Sequence, residues 1–266
     1  MASVCLTKPP KLASFLTFYE FINFTELEKV YDKMKGMRHG CVVLFLLTGI
    51  VFSLCPVWAG RPPAKQLVVI DPAHGGADRG VKLSDKEYEK DITLKIALQL
   101  QKELQSGGGV RVQLTRAADW DMPISERIKA VRTAGASMFI SLHINAAFGK
   151  DAAGYEVYFP GFSSASTGQN VAAEILKDMT ANKYLNESVA LSQSIRRNLQ
   201  NVFPGKDRQL RDAPALILEG LALPAVVVEI GFATSREDKK TITDEEGRRA
   251  IAQALSKGIR EFLRID

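Results

Sequence analysis

Two apolar runs, each ending in a histidine, constrain this chain more than anything else in it. Leu67-Val68-Val69-Ile70 leads into Asp71-Pro72-Ala73-His74-Gly75-Gly76, and Met138-Phe139-Ile140-Ser141-Leu142 leads into His143. Short runs of this kind read as strands buried on both faces, the pattern of a parallel sheet. Pro72 cannot donate to a ladder and stops the first strand. Gly75 and Gly76 then let the backbone turn where a side chain would clash. Of the histidines His39, His74 and His143, two therefore stand at strand ends, where open α/β sheets bind ligands. Either one alone reads as a solvated strand-end residue. Two at equivalent ends point to a metal pair, since neutral imidazole is a common nitrogen ligand of zinc.

The rest of the chain from residue 67 alternates helix and strand. Ile92, Ile96, Leu100 and Leu104 recur at fourfold spacing, which predicts a helix over 91–105 with one apolar face, ended by Gly107-Gly108-Gly109. A strand at 110–114, a helix at 123–133 opened by Pro123, the His143 strand and a strand at 155–159 follow. Helical pattern returns at 171–180 and 187–202, and apolar runs follow Pro214 (215–218) and Pro224 (225–228, then Glu229). A last helix covers 244–263. Strands separated by helices of this length make βαβ crossovers. The expected fold is a three-layer α/β/α domain around a mostly parallel, twisted sheet of about six strands.

Composition narrows the partners. The formal charge is +5, of which the first 59 residues carry +2 through six Lys/Arg and four Asp/Glu. No basic run is interleaved with aromatics, which argues against nucleic acid. Cys5, Cys41 and Cys55 all precede residue 60, so the body has neither disulfides nor a thiolate metal site. A cysteine-free body suits an oxidising compartment. Residues 1–33 contain Glu26, Glu28 and Asp32, which are wrong for a signal peptide, whereas from Met34 a basic stretch precedes the uncharged run 41–59. Val57-Trp58-Ala59 supplies small residues for cleavage. The segment reads as an export signal cut after Ala59, with residues 60–66 as a linker and Met34 or Met37 as alternative starts. The run is also close to the ~20 residues that span a bilayer, so an uncleaved anchor, and with it membrane attachment, is the alternative. Either way the body is expected outside the cytoplasm, in the periplasm or beyond.

Glu229 is the most informative acid. It ends an apolar run and precedes Gly231, and a carboxylate rarely tolerates burial without a partner. It is either a strand-end side chain that has reached water or a carboxylate aimed into the crevice of His74 and His143. From the residues alone, a metal-dependent hydrolase is the expectation.

The blocks Asp71-Pro72-Ala73-His74-Gly75-Gly76, Glu89-Lys90-Asp91, Thr115-Arg116 with Asp119, Ser141-Leu142-His143-Ile144-Asn145-Ala146, and Pro224 to Phe232 resemble, in order, those of the zinc-dependent N-acetylmuramoyl-L-alanine amidases. The resemblance runs over nearly all of 67–266. It implies that His74, Glu89 and His143 bind one zinc ion and that Glu229 is the catalytic carboxylate. It further implies hydrolysis of the peptidoglycan amide between the lactyl group of N-acetylmuramic acid and L-alanine of the stem peptide. Asn145 and Arg116 are candidates for supporting the ligands or contacting the substrate, and each could equally be structural. Three positions depart from the family: Ala73 for a glycine, Ile144 for a small residue, which is expected to narrow the cleft, and Ser235 for an asparagine. In some relatives an insertion covers the zinc until an activator protein moves it. Residues 163–184 are the corresponding segment here, with Glu174 or Asp178 as the plugging carboxylate; the alternative is a plain surface helix. Two other functions compete: a zinc hydrolase of another amide, and a non-catalytic binding protein of the cell wall or the division machinery.

Overall fold

The computed structural model describes Lys29 and residues 65–147, 152–161, 171–213 and 215–265. The chain divides into two units, Met1–Pro63 and Ala64–Asp266. The export or anchor segment read from 41–59 lies outside the described residues, as do residues 163–170. Among the described residues no helix is long and apolar enough to cross a membrane.

Among its described residues the second unit holds six strands: β1 (Gln66–Pro72), β2 (Val110–Leu114), β3 (Met138–Asn145), β4 (Tyr155–Pro160), β5 (Asp207–Ala213) and β6 (Ala225–Phe232). They form one sheet in the order β2-β1-β3-β6-β4-β5. All neighbouring pairs are parallel except β4 with β6. Five helices accompany them: α1 (Glu89–Ser106), α2 (Ile124–Ala134), α3 (Val171–Leu199), α4 (Arg236–Thr243) and α5 (Glu245–Leu263).

Residue parity along the strands sorts the side chains into two layers. Val68, Ile70, Ile140, Leu142, Val226 and Val228 point to one face. There Ile92, Ile96 and Leu100 of α1, Leu191 and Ile195 of α3, and Leu255 and Ile259 of α5 cover them. Val69, Phe139, Ala225 and Val227 point to the other face, which is closed by Val131 of α2 and by Ile217 and Leu218 of a 3-10 turn (Leu216–Leu218). The second face thus has one short helix and one turn where the first has three helices. His143 and Glu229 share the parity of Phe139 and Val227, so they come out on the thin face, where room remains for a cleft.

The expected sheet size and direction hold, with three local differences. The expected helices at 171–180 and 187–202 are one helix, because nothing between Asn182 and Asn186 breaks it. The apolar run 215–218 is a 3-10 turn, and the sixth strand is instead β5, Asp-Arg-Gln-Leu-Arg-Asp-Ala. A charged edge strand lacks the apolar signature of a buried one. The expected last helix is preceded by a separate helix, α4. Ser235 caps α4 through Asp238 N, and Asp244 caps α5 through Gly247 N.

Candidate metal centre and cleft

His74 leaves the sheet in a left-handed conformation, φ 61°, unusual for a residue with a Cβ. Two buried guanidinium groups hold it there. Arg116 donates to the carbonyls of Pro72 (3.0 Å), Ala73 (2.9 Å) and Lys90 (2.8 Å). Arg127 donates to those of Pro72 (2.8 Å), His74 (2.6 Å) and Met122 (2.7 Å). Three consecutive carbonyls, those of Pro72, Ala73 and His74, are therefore fixed by one arginine just past β2 and one in α2. Arg127 is in turn paired with the buried Asp71 carboxylate at 2.7 Å, which also accepts from Thr115 (2.5 Å) and Ser141 (2.7 Å). The turn is tight enough that a Cβ on Gly75 would lie 2.3 Å from the carbonyl of Trp120.

The imidazole is oriented from behind. Its Nδ1 faces Asp78 Oδ2 at 2.8 Å, which leaves Nε2 aimed at Glu89 Oε1, 3.1 Å away. Glu89 opens α1 and is 2 % exposed. Its Oε2 accepts from Val81 N and its Oε1 from Ile144 N, both at 3.0 Å, so its rotamer is fixed by backbone on two sides. His143 Nδ1 approaches the same Oε1 at 3.3 Å. The three donor atoms lie within 4.8 Å of one another.

The electrostatics ask for a cation. Burial disfavours a charged His74, yet the Glu89 and Asp78 carboxylates outweigh it and raise its pKa to about 9. Burial likewise disfavours a charged Glu89, yet the two imidazoles lower it to about 2. A buried anion between two imidazole nitrogens is a donor set that fits a divalent metal. Two nitrogens and one oxygen leave a fourth position free, as hydrolytic zinc sites require. Carboxylate and backbone partners behind the ligands are the usual means of orienting them. His74, Glu89 and His143 can therefore hold a metal ion.

Glu229 stands beside His143 in the β3–β6 register. Its Oε2 is buried with no hydrogen-bond partner among the described residues, and burial raises its pKa to about 7. On its other side Glu229 pairs with Glu156 of β4. Glu156 is 3 % exposed and accepts from Asn145 Nδ2 (3.0 Å) and the Tyr158 hydroxyl (2.5 Å). That bond and burial push the Tyr158 phenol well above its ordinary range. His74, His143, Glu229 and Tyr158 line a cleft of about 600 Å³, together with the apolar Met122, Pro123, Ile124, Leu216 and Ile217 and the acids Asp78 and Asp121.

Several expectations change here. Arg116 is fully buried, so it contacts no substrate and instead holds the His74 turn. Asn145 reaches Glu156. Ile144 does not narrow the cleft: its side chain has the opposite parity to His143 and packs in the three-helix layer. Positions 174 and 178 fall in α3, where their side chains lie outside the described residues. The helix meets the start of β6 at Ser188 and the site end of β4 at Arg196. It therefore runs from the far end of the sheet towards the site end. Sequence reading passed over Asp71, Asp78, Arg127, Glu156 and Tyr158. Arg127 had a signal, a charge inside the predicted helix that the apolar face would bury. Glu156, between Tyr155 and Val157, had another.

Comparison with known proteins agrees with this geometry. The chain is 28% identical over 224 residues to the N-acetylmuramoyl-L-alanine amidase AmiA of Escherichia coli, covering 76% of this chain and 77% of that protein. Its fold matches the catalytic domain of the amidase CwlV from Bacillus (Paenibacillus) polymyxa var. colistinus with a TM-score of 0.63 at 27% identity, over 76% of this chain and 99% of that one. It also matches the CwlD amidase of Clostridioides difficile, solved in complex with the GerS lipoprotein, with a TM-score of 0.61 at 26% identity, over 76% and 100% of the two chains. The family description N-acetylmuramoyl-L-alanine amidase (Amidase_3) matches residues 68–261, nearly the whole of the folded unit, and the chain belongs to that family.

Proposed function

We propose that the chain hydrolyses the amide between N-acetylmuramic acid and the L-alanine of the peptidoglycan stem, with one zinc ion held by His74, Glu89 and His143. The observation that carries this reading is the convergence of those three side chains beside a buried carboxylate oxygen of Glu229 that has no hydrogen-bond partner among the described residues. A zinc ion there would polarise the scissile carbonyl and acidify a water molecule. Every other contribution comes from the chain. Glu229 takes the proton of the attacking water and returns it to the departing nitrogen. Burial raises its pKa towards neutrality, which suits a general base at physiological pH. Asp78 fixes the His74 ring, the backbone of Val81 and Ile144 fixes Glu89, and Arg116 and Arg127 fix the turn that presents His74.

In this reading residues 67–266 are the catalytic domain, 60–66 a linker, and 1–59 an export signal or an anchor that delivers the domain to the periplasm or the cell exterior. The uncharged run 41–59 and the cell-wall substrate support export. The CwlD amidase in its complex with a lipoprotein supports a protein partner for this chain as well. The test is incubation with purified peptidoglycan and detection of released peptides that begin with alanine. The wild type is expected to release them, and Glu229→Gln to keep its zinc and release none. Cleavage at any other bond would overturn the reading.

A further inference from the structure

The cleft is electrically lopsided. Beyond His74, on the β1 side, stand Asp78 and Asp121. On the other side, past Glu229 and Glu156, stands the half-exposed Arg211 of β5. Arg211 pairs in register with Tyr158, which lines the cleft. Partners in register point to the same face, so Arg211 faces the thin layer with Tyr158. Its guanidinium lies 3.6 Å from Glu156 Oε1 while half of its side chain remains open to solvent. The two oxygens of the buried Glu156 thus divide their work. Oε2 holds Asn145 and Tyr158, and Oε1 draws the guanidinium back along the face towards the reacting end.

We propose that Arg211 binds a carboxylate of the stem peptide and that Glu156 positions it to do so; this rests on the amidase reading above. The substrate has the same asymmetry as the cleft. On one side of the scissile amide is an uncharged sugar, rich in hydroxyl donors that suit Asp78 and Asp121. On the other is a peptide that carries free carboxylates. Two strand spacings of about 4.8 Å separate β6 from β5, so the guanidinium stands on the order of 10 Å from Glu229. The alanine and the residue after it span roughly 7 Å at ~3.3 Å each, and a hydrogen bond of about 2.9 Å from carboxylate to guanidinium completes the distance. The carboxylate read by Arg211 therefore belongs to the residue next to the alanine, and the peptide lies across β6, β4 and β5. A guanidinium with open N–H groups is the side chain best shaped to grip a carboxylate by two parallel bonds. A purely structural partner for Glu156 would not need its outer half in solvent.

The experiment compares two substrates, muramyl-L-alanyl-D-isoglutamate and the same compound with D-isoglutamine, which differ only in carboxylate against carboxamide. The zinc-loaded wild type is expected to favour the acid in kcat/KM by about fivefold to tenfold, the scale of a half-exposed charge-assisted pair. Arg211→Gln should lose the preference and cleave the two with nearly equal kcat/KM. Arg211→Glu should favour the carboxamide, and Arg211→Lys should restore part of the preference for the acid. Glu156→Gln should shrink the preference while the protein still binds zinc. A wild type that does not distinguish the two substrates, or an Arg211→Gln enzyme whose ratio is unchanged, would overturn the proposal. A uniform loss of rate on both substrates would assign Arg211 to structure alone and overturn it too. A wild type inert on both compounds and on peptidoglycan would remove the amidase reading, and this proposal with it.

Discussion

Replacing Arg127 by methionine tests whether the site is held from behind by α2. The side chain donates to Asp71 Oδ1 and to the carbonyls of Pro72, His74 and Met122, all at 2.6–2.8 Å. Methionine fills most of the volume and makes none of these bonds. Asp71 would keep the hydroxyls of Thr115 and Ser141 but lose its paired cation while 1 % exposed. Removing one partner of a buried ion pair costs about 3–5 kcal/mol. That is a large part of the ~5–15 kcal/mol by which domains are stable. The second consequence is local. His74 would keep its left-handed backbone, worth of order 1–3 kcal/mol of strain, without the bond to its carbonyl that offsets it. Urea denaturation should therefore show a loss of about 3–5 kcal/mol, and chelator competition a metal affinity lower by about 10–100-fold. Adding Asp71→Asn should recover much of the stability, because the unpaired charge is gone, and none of the metal affinity, because the His74 carbonyl is still unheld. An Arg127→Met protein within about 1 kcal/mol of wild type would refute the reasoning. So would a double variant no more stable than the single one.

The other predictions concern the site itself. In metal-free protein, Glu229 has a folded pKa of about 7, raised by burial from 4.5. Below the lower value it is neutral in both states and costs nothing. Between the two the unfolded chain ionises first, so stability falls as pH rises, by about 3 kcal/mol in all. Glu229→Gln should thus match wild type near pH 4.5 and exceed it by up to that amount at pH 8.5 in denaturation of chelated samples. Equal pH profiles would contradict the burial. Asp78→Ala removes the partner of His74 Nδ1 and should weaken zinc binding by about 10–100-fold with little loss of stability, since Asp78 is exposed. Gly80→Ala would place a methyl 2.6 Å from both Glu89 Oε2 and His74 Cδ2 in a left-handed turn. Isothermal titration should find its zinc site impaired, and unaltered binding would show that the turn can yield.

The fold was legible where its physics is one-dimensional. The apolar runs at 67–70, 138–142 and 225–228 could be little other than buried strands, and the fourfold spacing of Ile92, Ile96, Leu100 and Leu104 marked α1. β5 was not legible, because Asp207–Ala213 is a charged edge whose pairing is decided by β4, not by its own composition. At the site, His74 and His143 announced themselves as strand ends. Glu89 was reached by resemblance alone, since it lies 15 and 54 residues from the histidines in sequence and only the sheet brings it between them. Arg116 shows the limit of motif reading. Its place in a matching block said that it mattered, and only burial said that it holds a backbone turn and not a substrate. Ile144 shows the value of parity. One residue along a strand from His143 is the opposite face of the sheet.

In the proposed function, hydrolysis depends on one zinc ion held by His74, Glu89 and His143. The most direct measurement is a titration of fully chelated protein with zinc, following bound metal and release of alanine-terminated peptides from peptidoglycan in the same samples. The account predicts that activity is absent at the start, rises with bound zinc and saturates at one ion per chain, while a His143→Ala protein neither binds at that level nor recovers. Release of peptides by chelated protein, or tight zinc binding by His143→Ala equal to that of the wild type, would contradict it.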